Sequence, residues 1–227
     1  DDVKALGAKW QFLAQTVAAA VVVFYGHIIL DEVSILGFHF VFGTPWNYII
    51  TILFIVAVIN TINLSDGLDG LCSGISTIYF LTVSFIALVL NKAGGLDVAL
   101  SLIMSGAILG FLVHNFPPAK IYLGDTGSNF IGFMIAVTAL LGFKTATFTS
   151  LIIPLVILAT PILDVAFSII RRSLKRKNPF TTPDKEHFHH QLLKMQFSTR
   201  ASLLIIYAIN ILFALVSILY ALGDTDY

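Results

Sequence analysis

Charge is what this chain has least of. Only 11% of its 227 residues are Asp, Glu, Lys or Arg, and the 13 basic and 13 acidic side chains cancel. A soluble domain carries about 25% charged residues and roughly 45–50% apolar ones. Here 57% are hydrophobic and mean hydropathy reaches +0.91, which excludes an ordinary aqueous fold and leaves a membrane-embedded one. The absent positive excess argues against nucleic acid as a partner. Cysteine is nearly missing as well. Cys72 cannot form an internal disulfide and reads as a small apolar filler. No secretory signal, lipidation motif, fixed-period repeat or low-complexity segment is visible, so residues 1–227 read as one membrane-embedded domain. The chain opens on Asp1-Asp2 rather than Met, directly before a hydrophobic segment, and an N-terminally trimmed chain is expected.

What is abundant are long apolar runs. A spanning helix needs about 20 mostly apolar residues. Stretches near 10–30, 48–63, 71–90, 97–115, 128–143, 148–171 and 201–222 meet or approach that length. The expected fold is an all-α polytopic membrane protein of about seven transmembrane helices, the fifth short and tilted or re-entrant. Between the first two, Val33 to Phe42 alternates loosely around Gly37 and suits a short external β-hairpin, with an irregular apolar loop as the alternative. Alternating sides place the loops near 64–70, 116–127 and 172–200 with the chain start. Lys4, Lys9, Lys120, Arg171, Arg172, Lys175, Arg176, Lys177, Lys185, Lys194 and Arg200 share that side, against Lys92 and Lys144 opposite. The positive-inside rule makes it cytoplasmic. The same assignment carries Asp1, Asp2, Asp66, Asp69, Asp125, Asp184, Glu186, His187, His189 and His190 to the cytoplasmic face, while Asp31, Glu32, His39, Asp97, Asp224 and Asp226 scatter on the other. Polar groups from separate segments that gather at one face predict one site.

Three segments carry chemistry. In Asn63-Leu64-Ser65-Asp66-Gly67-Leu68-Asp69-Gly70, the acids are three apart, so a helical turn would set both on one face. The glycines would let a ligand approach the backbone, and paired carboxylates beside a bilayer call for a cation or a substrate donor. A solvated acidic turn is the plainer alternative, which Asn63 and both glycines disfavour. The second segment runs from Asn115 to Ser128, with Pro117-Pro118 to stop a helix, Lys120 for charge, and Gly124 and Gly127 around Asp125. Thr126 and Ser128 would cap a following helix whose amides could face a phosphate. Asp125 suits Mg²⁺, which prefers one or two carboxylates plus phosphate oxygens and water. The third holds Arg171, Arg172 and the basic residues 175–177, then Asp184 to His190. The basic run alone reads as an anchor for anionic headgroups. Histidines spaced one and two apart with no cysteine fit a closed zinc site poorly; as donors and charge neutralisers facing a diphosphate they fit better. Asp164, inside the sixth stretch, is either a functional acid or the partner of a nearby arginine. His27 and His114, at helix ends, read as interfacial.

Together the motifs resemble the polyprenyl-phosphate N-acetylhexosamine-1-phosphate transferases, of glycosyltransferase family 4 type, and most closely the undecaprenyl-phosphate N-acetylglucosaminyl-1-phosphate branch. The pieces that carry the resemblance are Asp1-Asp2, NLSDGLDG at 63–70, NFPPAKIYLGDTGS at 115–128, PILDxxxxIIRR ending at Arg172, and HFHH at 187–190, all in the family's order. The resemblance implies transfer of a sugar 1-phosphate from a UDP-N-acetylhexosamine to undecaprenyl phosphate, with release of UMP. This would be the first membrane step of an envelope polymer such as teichoic acid or lipopolysaccharide. It implies Mg²⁺ (or Mn²⁺) as cofactor with Asp125 as metal ligand. Asp66, Gly67, Leu68 and Asp69 would form the nucleotide-side loop, with Asn63 and Asn115 in the same pocket and Tyr122 stacked on uracil. His187, His189 and His190 would lie near the sugar and diphosphate, and Asp1 or Asp2 would deprotonate or place the lipid phosphate. Lys120, Arg171 and Arg172 would be substrate-facing cations. A homodimer is allowed.

Three departures qualify the match. About three family helices before the aspartate pair are missing, Gln11 stands where the family often has a basic residue (Lys9 is nearby), and Tyr122 replaces the commoner phenylalanine while keeping a stacking surface. The His187-Phe188-His189-His190 spacing favours an N-acetylglucosamine donor. The phospho-N-acetylmuramoyl-pentapeptide transferase is the alternative within the class, and a membrane transporter the alternative outside it. A transporter would place ionisable groups near the midplane of repeated halves, whereas here they gather at one edge.

Overall fold

The structure is a computed structural model that describes residues 7–35, 38–90, 94–144, 151–174 and 187–223. Apolar runs become helices because a backbone in lipid must satisfy its own hydrogen bonds. In chain order these are α1 (Ala8–Phe24), α2 (Trp46–Leu64), α3 (Leu71–Val89), α4 (Leu96–Asn115), α5 (Gly124–Lys144), α6 (Ile152–Ile157), α7 (Ala159–Leu174), α8 (Phe188–Lys194) and α9 (Thr199–Gly223), with strands β1 (Glu32–Ile35) and β2 (Phe38–Val41) between α1 and α2.

The expected hairpin forms. β1 and β2 pair antiparallel, with Glu32 opposite Val41 and Ile35 opposite Phe38; its Gly37 tip lies outside the described residues. Its base is tied to α2, where Asn47 Nδ2 donates to Asp31 Oδ1 at 2.7 Å and Leu30 N donates to Thr51 Oγ1 at 2.9 Å.

Seven separate spans do not emerge. Among the described residues four helices are long and apolar enough to cross a membrane: α2, α3, α4 and α9. α1 has 17 residues, and α5 opens on a polar turn, Gly124 to Asn129. The sixth stretch is broken at Leu158 into α6 and α7. The cause is Pro161. A continuous helix would drive its ring against the carbonyl of Ile157, whereas in the first turn of a new helix the missing N–H costs nothing. The chain is nonetheless a polytopic helical membrane fold. α4 and α9 turn Leu102, Ile103, Val113, Leu204, Leu212 and Leu219 outward, a surface that lipid covers and water would not tolerate.

α3 is the central helix, buried along most of its length. Three of its buried hydroxyls bond to its own carbonyls, Thr77 to Ser73 at 2.8 Å, Thr82 to Ile78 at 2.7 Å and Ser84 to Phe80 at 2.8 Å, which satisfies these polar groups inside the bundle. α5 lies against α2 at Gly132, where a Cβ would stand 2.8 Å from Ile59 Cα. Only glycine permits that approach, the small-residue packing of membrane helices. A second, smaller core of Leu71, Ile75, Leu192, Leu203 and Ile206 fastens α8 onto α3 and α9. Asp97, expected on the outer side at the start of the 97–115 stretch, lies fully buried in the first turn of α4.

Candidate active site

The loop from α2 to α3 is not the helical turn the Asp66–Asp69 spacing suggests. Asp66 N donates to Asn63 O at 3.1 Å and Leu71 N to Leu68 O at 2.9 Å. Gly70 then enters α3 from the left-handed region at φ 84°, a conformation glycine adopts freely. Both carboxylates still reach one cavity. About 380 Å³ in volume, it is lined by Asp66, Gly67, Leu68, Asp69, Asn115, Tyr122, Leu123 and Gly124, so the two motif segments face each other across it.

Asn115 is the clasp between them. Its Oδ1 accepts from Gly70 N at 2.9 Å and Ser73 Oγ at 2.8 Å, and its Nδ2 donates to Ile121 O at 3.0 Å. It is buried and at the same time lines the cavity. Tyr207 Oη donates to Gly70 O, and Arg200 Nε donates to Pro117 O at 2.9 Å, which brings the start of α9 to the same end of the bundle.

Asp125 was expected before the fifth helix, with Thr126 and Ser128 as caps. The helix begins earlier. Gly124 at φ 66° lets the chain turn at once, so Asp125 occupies the first turn, where the helix dipole favours a carboxylate. Ser128 Oγ donates back to Gly124 O at 3.1 Å and accepts from Asn63 Nδ2 at 2.9 Å. The carboxylate itself receives Asn63 Nδ2 at 3.3 Å and Gln11 Nε2 at 3.0 Å. Sequence reasoning missed the rest of this amide ladder, in which Asn60 Nδ2 donates to Gln15 Oε1 at 2.7 Å and Gln15 Nε2 to Asn129 Oδ1 at 3.0 Å. The available signal was Gln11 and Gln15 four apart, and Asn60 and Asn63 three apart, each pair on one face of an apolar helix.

Charge is crowded here. Burial, then Asp125, then Asp69 raise the carboxyl of Asp66 to about 6. Among the described residues no three His, Cys, Asp or Glu side chains enclose an ion by themselves. Mg²⁺ needs only one or two carboxylates, its shell completed by phosphate oxygens and water, so Asp66 and Asp125 are the residues here that would hold it.

The histidines border this site. His189 lies over the loop between α2 and α3, where a Cβ on Gly67 would come 2.8 Å from its Nε2. It is buried and stacks on His187, with ring planes 4° apart and centroids 5.8 Å apart; the ring of His190 is centred 4.2 Å from that of His189. Burial first, then the neighbouring His190, lowers the imidazole of His189 to about 4, so it is neutral at pH 7. Asp164 takes a histidine rather than an arginine as partner: its Oδ2 lies 2.9 Å from His187 Nδ1.

Other expected residues are more dispersed. Tyr122 is 73% exposed at the cavity rim, where a flat ring can stack. Lys120 is exposed nearby. Arg171 and Arg172 end α7, and Arg171 lines a separate cavity of about 460 Å³ with Asp164, Phe167 and Phe213. Asp1, Asp2, Asp184, Glu186 and the basic residues 175–177 lie outside the described residues.

Residues 1–143 match the model of glycosyl transferase family 4. The chain is 44% identical over 220 residues to a probable undecaprenyl-phosphate N-acetylglucosaminyl 1-phosphate transferase of Bacillus subtilis, covering 96% of this chain and 60% of that protein. It is 32% identical over 228 residues to a decaprenyl-phosphate N-acetylglucosaminephosphotransferase of Mycobacterium tuberculosis, covering 91% and 56%. A phospho-N-acetylmuramoyl-pentapeptide-transferase of Limosilactobacillus reuteri is 46% identical over 140 residues, covering 58% and 41%. The chain thus spans little more than half the length of the first two relatives and less than half of the third. With more than half of its own length matched, it belongs to glycosyl transferase family 4.

Proposed function

We propose that this protein transfers N-acetylglucosamine 1-phosphate from UDP-N-acetylglucosamine to undecaprenyl phosphate at the cytoplasmic edge of the membrane, releasing UMP, as the first membrane step of envelope polymer synthesis. The observation that carries the reading is the shared cavity, in which the Asp66–Asp69 loop faces the segment leading into Asp125. The donor is supported by two relatives that match over 96% and 91% of this chain and are named for N-acetylglucosamine, and by the histidine spacing.

Attack of one phosphate on another needs in-line placement and relief of negative charge. Asp125, held by Gln11 and Asn63, with Asp66 beside it, would hold Mg²⁺, which supplies charge neutralisation at the diphosphate when bound. Tyr122 offers its face to the base and the amides of the 66–70 loop border the nucleotide. His189 contributes a neutral imidazole at the loop, able to donate one hydrogen bond without adding charge. Asp1 and Asp2 would place or deprotonate the acceptor phosphate. An apolar cleft of about 350 Å³ runs from Asp125 along Ala14, Ala18, Ile59 and Phe133 and gives an acceptor's tail a path into lipid.

Membranes carrying the protein, given labelled UDP-N-acetylglucosamine or UDP-N-acetylmuramoyl-pentapeptide, will move label into lipid from the first donor only. Asp125→Ala will abolish that transfer while the variant still extracts and melts as a folded protein. Near-normal turnover of Asp125→Ala, or label entering lipid only from the muramoyl donor, overturns the reading.

A further inference from the structure

Asp164 is an acid in a helix whose exposed face is apolar, with Leu163, Phe167, Ile170 and Leu174 pointing outward. An acid in such a place is costly and persists only with a function or a partner. Both of its oxygens are engaged, and both with the same short segment. Oδ2 meets His187 Nδ1 at 2.9 Å, and Oδ1 accepts from the amide of Phe188 at 2.8 Å. α8 has seven residues and no side-chain cap of its own, too short to hold its shape unaided. Its cap comes instead from α7. His187 then stacks on His189, and His189 rests on Gly67 in the carboxylate loop. A line of contacts therefore runs from Asp164 to the cavity.

We propose that Asp164 is a positioning residue that fixes His187 with its proton on Nδ1, leaving Nε2 as the ring's acceptor, and that anchors α8 so that the histidines face the Asp66–Asp69 loop. An ionised carboxylate can only accept, so Nδ1 must be the donor in this pair. The orienting role is that of a carboxylate behind a histidine, which sets tautomer and ring plane together. The cap alone does not require a carboxylate, since an asparagine oxygen would accept from Phe188 equally well. The pairing with His187 does. The inference deepens the transferase reading, and its rate measurements rest on that reading; the tautomer does not.

Asp164→Asn is the discriminating variant. It keeps an oxygen for the Phe188 amide and sets an N–H donor against Nδ1, which forces the proton to Nε2. With ¹⁵N-histidine in the full protein, and the His187 signals assigned by their loss in His187→Gln, Nδ1 of His187 will be protonated in the unaltered chain and unprotonated in Asp164→Asn. The variant's kcat will fall about 10–100-fold, the range for lost second-layer support, with KM for UDP-N-acetylglucosamine changed less than about threefold. Asp164→Glu will recover part of the rate. The double variant Asp164→Asn/His187→Gln will be no slower than His187→Gln alone, as expected when one residue acts through the other. An unprotonated Nδ1 in the unaltered chain overturns the proposal even if Asp164→Asn fails to fold. So does a rate loss that adds fully to that of His187→Gln. If the unaltered protein transfers no sugar phosphate from any UDP-sugar, the transferase reading fails, while the Nδ1 signal still decides for or against this one.

Discussion

Asp66 and Asp125 show how single residues acquire chemistry from their surroundings. Their acidity is legible in the sequence; the push of Asp66 to about 6 comes from burial and from Asp125 and Asp69, which only the fold brings together. The sign of the effect is definite. Below about pH 6 Asp66 takes up a proton and ceases to attract a divalent ion; above it the carboxylate is charged. The Mg²⁺ concentration giving half-maximal transfer will therefore rise as pH falls through about 6, and Asp66→Asn will flatten that dependence. An unchanged Mg²⁺ requirement between pH 5 and 7 would remove Asp66 from the metal's surroundings. Gln11 teaches the complementary lesson. As a sequence feature it marks a departure from an expected cation, yet its amide is donated to Asp125, so a neutral donor occupies the place where a charge was sought.

Among the elements, the break at Leu158 and the early start of α5 were not read from hydropathy, because a window average blurs one proline or one glycine into its apolar neighbours. Pro161 and Gly124 decide both boundaries through local stereochemistry, a ring clash in one case and a positive φ in the other. The α2–α5 contact is more exacting still. Asn63 of α2 reaches Asp125 and Ser128 of α5 only while Gly132 lets the two backbones lie close. Gly132→Leu will cost about 1–3 kcal/mol by overpacking, seen as a lower melting temperature in detergent, and transfer will weaken further because the Asn63–Asp125 bridge lengthens. A variant with unchanged melting and unchanged rate would show that the helices pass without needing glycine.

Over the whole molecule, the described ends of α2, α4 and α5 and the segments of α8 and α9 meet at one end, linked by Asn115 to Gly70, Arg200 to Pro117 and His189 to Gly67. The hairpin lies between α1 and the start of α2, away from that end. The proposed reading puts the polar end in the cytoplasm, on the basic bias of the connecting segments. A cysteine at exposed position 120 (Lys120→Cys) will react with an impermeant maleimide in inverted vesicles and not in intact cells, with buried Cys72 as a silent background. Reaction in intact cells would reverse the topology and sever the site from a cytoplasmic nucleotide sugar.

By itself the sequence determined the solvent of this protein and the residues able to do chemistry. Hydropathy is a local property of a run, and a motif such as NLSDGLDG is contiguous. It also led to the expectation that the polar segments share a side, through the one-sided bias of the basic residues. Only the tertiary structure decided which atoms meet: an amide ladder from α1 and α2 around Asp125, and a histidine segment capped by an aspartate 23 residues before His187. Such pairings depend on helix rotation and close approach. In a medium where side chains facing lipid and side chains facing protein are equally apolar, hydrophobicity leaves both of these unspecified.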